Sequence, residues 1–409
     1  MSKNIWYCNH YALDPKFKNY RPYFLSSQLS AMGEKVTIIA ASFHHLHKDT
    51  IQFKGDYCLK KVNGVNYLWI KTPYYKGNGV ARIQNMLAYS AFLKRTNLVH
   101  MGVLKKPDVI VVSSVHMFHF KAMKKWAKIY DAQLIFEVRD IWPLTLNNLL
   151  KMSKYHPLYI WLAHLEKHAY KHANKVISVL PNGFEHMKKQ GLDEKKYFHI
   201  PNGIEIPDEQ KIVTPHVLMK DLQKEGKFIV FYCGTHGIPN ALEPLIQAAI
   251  LLDQKQNTKI HFVLLGKGEK KEHLINLATE NSLTNVTFLS AVPKNEVSSY
   301  LKAANICYLG WQNTTLYRYG VSANKIFEYM LGEKPILQSI NSPNNPVELA
   351  QCGQCIEAMN PEVIADALEN FALMPQNELK NMGLKGLEYI KKNHDYAKLA
   401  QNFIEVIEK

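Results

Sequence analysis

The chain is 409 residues long, 47% apolar, 11% aromatic and 21% charged, a globular composition that excludes disordered, collagen-like and coiled-coil chains and, at about 100–200 residues per domain, predicts two domains. No run approaches the ~20 apolar residues that span a bilayer, the start Met1-Ser2-Lys3-Asn4-Ile5-Trp6 lacks a secretory signal, and six scattered cysteines do not form a disulfide framework, so the sequence reads as a reduced, cytosolic protein. The net charge of +15 is uneven: residues 1–200 hold 30 Lys and Arg against 12 Asp and Glu, whereas the remainder hold 20 against 23. The first half therefore expects an anionic partner, which is a nucleic acid, a phosphorylated substrate or an acidic membrane surface.

In chain order, short β-branched runs alternate with longer helical patterns, the mark of parallel sheets with crossover helices. The first half offers strands at Ile5–Cys8, Val36–Ala41, Val109–Ser113, Leu134–Val138 and Val176–Leu180, with helices at Tyr23–Met32, Arg82–Val99, Phe120–Tyr130 and Leu158–His172. The second half offers strands at Phe228–Cys233, Ile260–Gly266, Val286–Leu289, Ile306–Leu309 and Pro335–Gln338. Turn residues cluster at Pro201-Asn202-Gly203 and from Pro207 to Lys227, which sets the domains at 1–202 and 203–395. The last segment, 396–409, carries Leu399, Phe403, Ile404 and Ile407 on one helical face and is expected to pack back on the first domain.

Gly234-Thr235-His236-Gly237 follows an apolar strand and precedes a helical pattern, and Gly266-Lys267-Gly268-Glu269 follows another. Such turns let backbone N–H groups approach an anion, and they equally serve as tight turns. Neither carries the third glycine and distant acid of a dinucleotide site. A sharper pattern is Ser322-Ala323-Asn324-Lys325-Ile326-Phe327-Glu328. Ser322 is a plausible N-cap, which would turn the N–H groups of a helix start and Lys325 toward an anion, with Glu328 placed one turn beyond Asn324 to accept from a ribose diol.

In the first half, Glu137-Val138-Arg139-Asp140 ends a strand, where open α/β sheets bind ligands. Asp140 is a candidate base for an acceptor hydroxyl and Arg139 a bidentate anion ligand; an Arg–Asp structural pair is the competing reading. His116 and His119 follow another strand; His116 is a cleft candidate, with a satisfied structural histidine as the favoured reading, and no third ligand points to a metal. Cys352-Gly353-Gln354-Cys355 has redox or zinc spacing but no second pair, and is read as a reduced turn.

The segment Lys325-Ile326-Phe327-Glu328-Tyr329-Met330 with Gly332 and Lys334-Pro335-Ile336 resembles the donor site of family 4 glycosyltransferases of the GT-B fold. Tyr20-Arg21-Pro22-Tyr23, Phe136 to Pro143, Ile200 to Ile204 and the turn at Gly234 agree in the same order, and the stretches at 137–143 and 322–329 are most similar to the branch of L-fucosamine transferases of surface-polysaccharide assembly. The resemblance implies two Rossmann-like α/β domains with parallel sheets facing a cleft. It implies a nucleotide-sugar donor, a UDP-linked N-acetylated or deoxy hexosamine, on the second domain, and a lipid-linked glycan acceptor on the first. The reaction it implies is retaining and needs neither metal nor cofactor. Gly234, Thr235, Ser322, Asn324 and Lys325 would then hold the diphosphate, Glu328 the ribose and Leu289 the edge of the base site, with Gly268 a further donor-binding residue. Tyr11, Arg21, His116 and Glu137 would border the acceptor, with Asp140, Arg139 and Glu328 as the chemical residues.

The first of the family's two glutamates falls at Gly320, so that carboxylate is missing. Its loss, with that of the family's histidine near Arg139, makes a non-catalytic nucleotide-sugar-binding protein the alternative. Nucleic-acid binding rests on charge alone. An enzyme of this kind would sit peripherally on the inner face of the membrane through its basic half, and Arg82–Lys106 and Leu150–Lys175 are the segments suited to that contact.

Overall fold

The structure, a computed structural model, describes residues 2–15, 21–45, 51–77, 79–207 and 214–409. Tyr20 and residues 208–213 of the linker lie outside the described residues. The chain divides into two compact units, Met1–Glu205 with Tyr396–Lys409, and Ile206–Asp395.

The first unit runs β1 (Asn4–Cys8), α1 (Arg21–Ala31), β2 (Lys35–Ala41), β3 (Tyr57–Val62), β4 (Val65–Ile70), α2 (Val80–Arg95), β5 (Val109–Ser113), α3 (Phe120–Tyr130), β6 (Gln133–Val138), α4 (Leu144–Leu150), α5 (Pro157–His172), β7 (Lys175–Ser178), α6 (Gly183–Lys189) and β8 (Tyr197–His199). Its eight strands lie in the order β3-β4-β2-β1-β5-β6-β7-β8. All the pairings are parallel except the hairpin β3–β4. That hairpin is absent from the predicted strands, although Asn63-Gly64, both at positive φ (46° and 84°), is the turn signal for it.

Successive residues of each strand point to opposite faces, so one set of strands supplies two cores. Trp6, Cys8, Ile110, Val112, Leu134 and Phe136 pack with α2, α3 and α5. Ile5, Tyr7, Val109, Val111 and Ile135 face the other side.

The second unit contains α7 (Val217–Lys224), β9 (Phe228–Thr235), α8 (Glu243–Gln254), β10 (Ile260–Lys267), α9 (Lys271–Glu280), β11 (Val286–Leu289), α10 (Val297–Ala303), β12 (Ile306–Gly310), α11 (Asn324–Leu331), β13 (Ile336–Ser339), α12 (Pro346–Leu349), β14 (Gly353–Ile356), α13 (Pro361–Leu373) and α14 (Gln376–Asn393). Its six strands are parallel in the order β11-β10-β9-β12-β13-β14. Strand order reverses between β9 and β12, the crevice where open α/β sheets take ligands. The Cys352–Cys355 segment is not a turn but the start of edge strand β14, which hydrogen bonding to β13 stabilises. Both thiols are free.

The final helix, α15 (Tyr396–Glu408), returns to the first unit, where Leu399, Ala400, Phe403 and Ile407 join the α1-side core. Phe24 stacks on Tyr396 at 5.1 Å. Lys3 donates to the Ile407 carbonyl at 3.2 Å and Lys175 to that of Val406, satisfying carbonyls that the last helical turn leaves open.

Candidate functional site

In the second unit the crevice is built from the ends of β9, β10 and β11 and the start of α11. Gly234 (φ 153°) lies near the end of β9 under Lys325; its backbone angle favours glycine, and a Cβ there would lie 2.6 Å from Lys325 Cε and 2.7 Å from Nζ, pushing the lysine's end aside. Lys325 Nζ donates to Tyr232 Oη (2.9 Å) and Asn240 Oδ1 (2.6 Å). Burial, opposed by the nearby Glu328 carboxylate, lowers the ammonium to about 8. The exposed Thr235 anchors this turn through its carbonyl, which accepts from Tyr232 Oη and Asn240 Nδ2.

α11 begins at Asn324, and its N-cap is Ala323 with no side-chain cap bond. Ser322 is therefore not the cap that the spacing predicts, because the helix starts one residue later than expected. The uncapped N–H groups leave the first turn open to an anion. Glu328 follows on the same helix and pairs with Lys294 Nζ at 2.8 Å. Lys294 lies in a short 3-10 turn after β11, and nothing in its local sequence marks it.

Leu289 ends β11, and its carbonyl accepts from Lys271 Nζ at 2.6 Å; the same ammonium holds the Gly266 carbonyl at 2.9 Å, so Lys271 ties β10 to β11. Gly268 is needed for close approach, since a Cβ would meet the His236 backbone at 2.3–2.7 Å. The His236 ring is buried with neither nitrogen bonded, and burial, reinforced by Lys271 and Lys325, lowers it to about 4, so it is neutral. A cavity of about 220 Å³ opens beside this turn among His236, Lys270, His273, Gln312 and Met359; Asn324, Lys325 and Glu328 do not line it. The position of the missing carboxylate, Gly320, has φ 88°, a conformation in which a glutamate would be strained.

In the first unit the strand-end residues separate into two groups. Glu137 is fully buried: Oε1 accepts from Arg21 Nε (2.8 Å), and Oε2 from Tyr7 Oη (2.6 Å) and Ser113 Oγ (2.7 Å). Burial alone would raise its carboxyl, but Arg21, Arg139 and the two hydroxyls outweigh that and bring it below the usual range. Arg21, equally buried, also donates to the Pro201 carbonyl. Arg21 and Glu137 thus form an internal ion pair bracing α1, β6 and the 201 segment, which corrects their expected place on an acceptor surface. A buried guanidinium and carboxylate satisfy each other because each would otherwise be too costly to desolvate.

Arg139 is half-buried and Asp140 exposed, and no ion pair joins them. Desolvation by the protein around it raises the Asp140 carboxyl and the neighbouring Arg139 charge opposes that rise, so the two side chains are coupled through charge without a direct ion pair. Instead the Arg139 N–H donates to Ser114 Oγ at 2.9 Å, and Asp140 is free to meet a ligand.

His116 is also corrected: it is fully buried, with both ring nitrogens unbonded, rather than lining a cleft. It sits 4.8 Å from His10, 5.2 Å from His119 and 6.1 Å from Tyr11, ring to ring, in a cluster that gathers residues following β1 and β5. Tyr11 Oη accepts from Arg82 Nε at 3.2 Å, and burial raises its phenol to about 12. The cluster escapes sequence reasoning because its members come from separate loops. Among the described residues, no three His, Cys, Asp or Glu side chains are arranged to hold a metal ion.

Comparison with known proteins agrees with the two-unit α/β fold. Residues 217–388 match the model of Glycosyl transferases group 1, and residues 23–206 that of Glycosyltransferase Family 4. No curated protein sequence matches the chain. Among solved structures, sucrose-phosphate synthase from Thermosynechococcus elongatus is 14% identical, with a TM-score of 0.72 over 99% of this chain and 98% of the other. The trehalose-6-phosphate protein from E. coli bound with UDP-2-fluoro glucose is 11% identical, TM-score 0.75, over 99% of both. Anabaena HepE in complex with UDP and glucose is 12% identical, TM-score 0.67, again over 99% of both. With a family 4 domain in the first unit and a group 1 domain in the second, on a two-unit α/β fold shared with these structures, the chain is a glycosyltransferase of the GT-B type.

Proposed function

We propose that this glycosyltransferase moves a sugar, with retention and without a metal, from a UDP-linked N-acetylated or deoxy hexosamine to a lipid-linked glycan intermediate of surface-polysaccharide assembly, as its resemblance to the L-fucosamine transferase branch implies. The observation that carries the donor half is Lys325 lying over Gly234 at the uncapped start of α11, with Glu328 one turn on. Charge developing on the leaving diphosphate meets fixed N–H dipoles and an ammonium held by Tyr232 and Asn240, so little reorganisation is needed as the bond breaks. The ribose diol donates to Glu328, taking the place of Lys294. The two structural relatives that hold UDP or a UDP-sugar support the choice of nucleotide. Asp140, exposed at the end of β6, takes the proton of the acceptor hydroxyl, and Arg139 beside it binds an acceptor anion.

The missing carboxylate at Gly320 favours a second reading, a nucleotide-sugar-binding protein of the same fold without catalysis. A thermal-shift screen of UDP-, GDP- and dTDP-sugars identifies the donor, because a ligand bound only by the native state raises its apparent stability. Transfer or donor hydrolysis then separates enzyme from binder. On the catalytic reading, chelators leave the rate unchanged and Asp140→Asn lowers kcat more than donor affinity. Strict metal dependence, or a normal kcat in Asp140→Asn, would remove the corresponding assignment.

A further inference from the structure

In the second unit the chain steps from β9 to β10 in one direction along the sheet and from β12 to β13 in the other, so right-handed crossovers place α8 and α11 on opposite faces. Leu245 of α8 and Leu274 of α9 accordingly share one core, which contains none of the buried side chains of α11. The turn 237–241, on the way from β9 into α8, stands between the two faces. On the α11 side, Asn240 Oδ1 accepts from Lys325. On the α8 side, Ile238 and Ala241 line the cavity of about 220 Å³, and Gln312 Nε2 donates to the Ile238 carbonyl at 2.8 Å. Ala241 is held at φ 40°, a left-handed conformation that a side chain disfavours, so the turn keeps its shape through what packs on it.

The lining of this cavity selects its ligand. Leu242, Pro244 and Leu274 give it a buried aliphatic wall, and Ile238 and Met359, 44% and 38% exposed, border its opening. Four hydrogen-bonding side chains complete it: Glu243 of α8, Lys270 and His273 at the start of α9, and Gln312 after β12. Glu243 and His273 pair at 3.1 Å and are both half-exposed. A carboxylate in the wall opposes a phosphate, and among the described residues no Phe, Tyr or Trp lines the cavity to stack a nucleobase. The volume lies below the ~300–1,000 Å³ of sites for drug-sized molecules, which leaves room for a single ring. An aliphatic wall edged by a carboxylate, an imidazole, an amide and an ammonium matches one sugar ring, apolar on its C–H face and hydroxylated at its edge.

We infer that this cavity is a second, regulatory site for one neutral monosaccharide unit, and that its occupant tightens nucleotide binding through the 237–241 turn. Glu243 accepts from neighbouring hydroxyls and Lys270 donates to another. Gln312, tied to the turn through its amide nitrogen, accepts through its amide oxygen. Packing on Ile238 and Ala241 holds the turn in the shape that presents Asn240 to Lys325, so less ordering is left for the nucleotide to accomplish. The coupling rests on the reading that Lys325 holds the diphosphate; the site itself does not. The sugar is either free or the non-reducing end of a glycan, since both offer the same hydroxylated ring.

The test is nuclear magnetic resonance of the full chain with isotope-labelled methionine and isoleucine methyl groups. The probes are glucose, galactose, mannose, N-acetylglucosamine, N-acetylgalactosamine and L-fucose, with their methyl glycosides. At least one is expected to shift the Met359 and Ile238 signals saturably, both with and without saturating UDP. A response to free sugars alone assigns the site to a metabolite, and a response to the glycosides as well assigns it to a glycan end. Glu243→Gln is expected to weaken this binding at least ~tenfold. Met359→Trp, which fills the opening, is expected to abolish the Ile238 shift, and both variants are expected to melt as the parent does. Calorimetry is expected to show UDP binding severalfold tighter with the sugar present and, by linkage, the sugar binding tighter by the same factor with UDP present. No response to any probe, a full response in Glu243→Gln or Met359→Trp, displacement of the sugar by UDP, or a UDP affinity indifferent to the sugar would each overturn the inference. Lys325→Ala, expected to lose UDP affinity and to keep the Met359 and Ile238 shifts, makes failure of the donor reading distinguishable from failure here.

Discussion

Lys325 and Glu328 share one turn of α11 but stand in different environments. The ammonium is enclosed by Tyr232, Asn240 and the Gly234 turn, whereas Glu328 is held only by a solvent-facing Lys294. Each loses a charged hydrogen-bond partner when substituted, so Lys325→Ala and Glu328→Gln are expected to weaken UDP binding by about 1.5–3 kcal/mol. Calorimetric titration, with the melting temperature as a folding control, checks this; unaltered affinity in the folded double variant would falsify the assignment. Because Lys325 titrates near 8, UDP affinity is also expected to fall as pH rises through that value, and Lys325→Ala is expected to lose this dependence.

The histidine cluster makes the opposite kind of prediction. Burial holds His10 at about 3, His119 at about 4 and His116 well below its ordinary value. The unfolded chain, titrating near 6.5, therefore binds protons that the folded unit refuses. Stability is complete above about pH 6.5 and falls as pH drops toward about 4. Denaturant titrations of the first unit's transition at pH 7 and pH 5 are expected to show this loss. His116→Phe, which replaces a ring lacking hydrogen bonds, is expected to flatten it, and an unchanged slope would count against the cluster as its source.

At the scale of the element, α15 shows how a segment nearly two hundred residues from the rest of its unit is recaptured. Its apolar stripe fills the α1-side core, and Lys3 and Lys175 close its last carbonyls. Phe403→Ala is expected to cost about 3–5 kcal/mol of the first unit's stability, the range for emptying a buried phenyl site. A loss confined to the second unit's transition would contradict this placement. The stripe is readable in the sequence as helical periodicity, but the strands β3, β8 and β14 were harder to read. β3 carries Lys60 and Lys61, and β14 contains a glycine and a glutamine. Edge strands gain their stability from a neighbour's hydrogen bonds more than from their own composition.

For the whole molecule, the two units differ in what should move their stability. Acid acts most on the first, through the clustered His10, His116 and His119, and less on the second, where His236 and His261 are held low singly, while nucleotide acts on the second through α11 and the Gly234 turn. Scanning calorimetry at pH 5 is expected to resolve two transitions, with UDP raising only the one assigned to residues 206–395. Saturation at a hundred times Kd is expected to add about 2.7 kcal/mol to that unit. A UDP shift confined to the more acid-sensitive transition would show that the donor is held elsewhere.

The sequence by itself determined the alternation of parallel strands and crossover helices, the inner strands apart from β4, the glycine turns and the charge difference between the halves. These follow from local periodicity, from backbone angles only glycine tolerates and from counting, all properties of neighbours in the chain. The tertiary structure decided which polar residues are paired and which are presented. Arg21 and Glu137, 116 positions apart, meet inside the first unit rather than at its surface. His10 and His116 come into ring contact from separate strand ends, and Lys294 reaches Glu328 from another loop. It also moved the α11 cap from Ser322 to Ala323. Burial and Coulomb energy depend on distances through space, and those distances exist only once the strands have been ordered side by side.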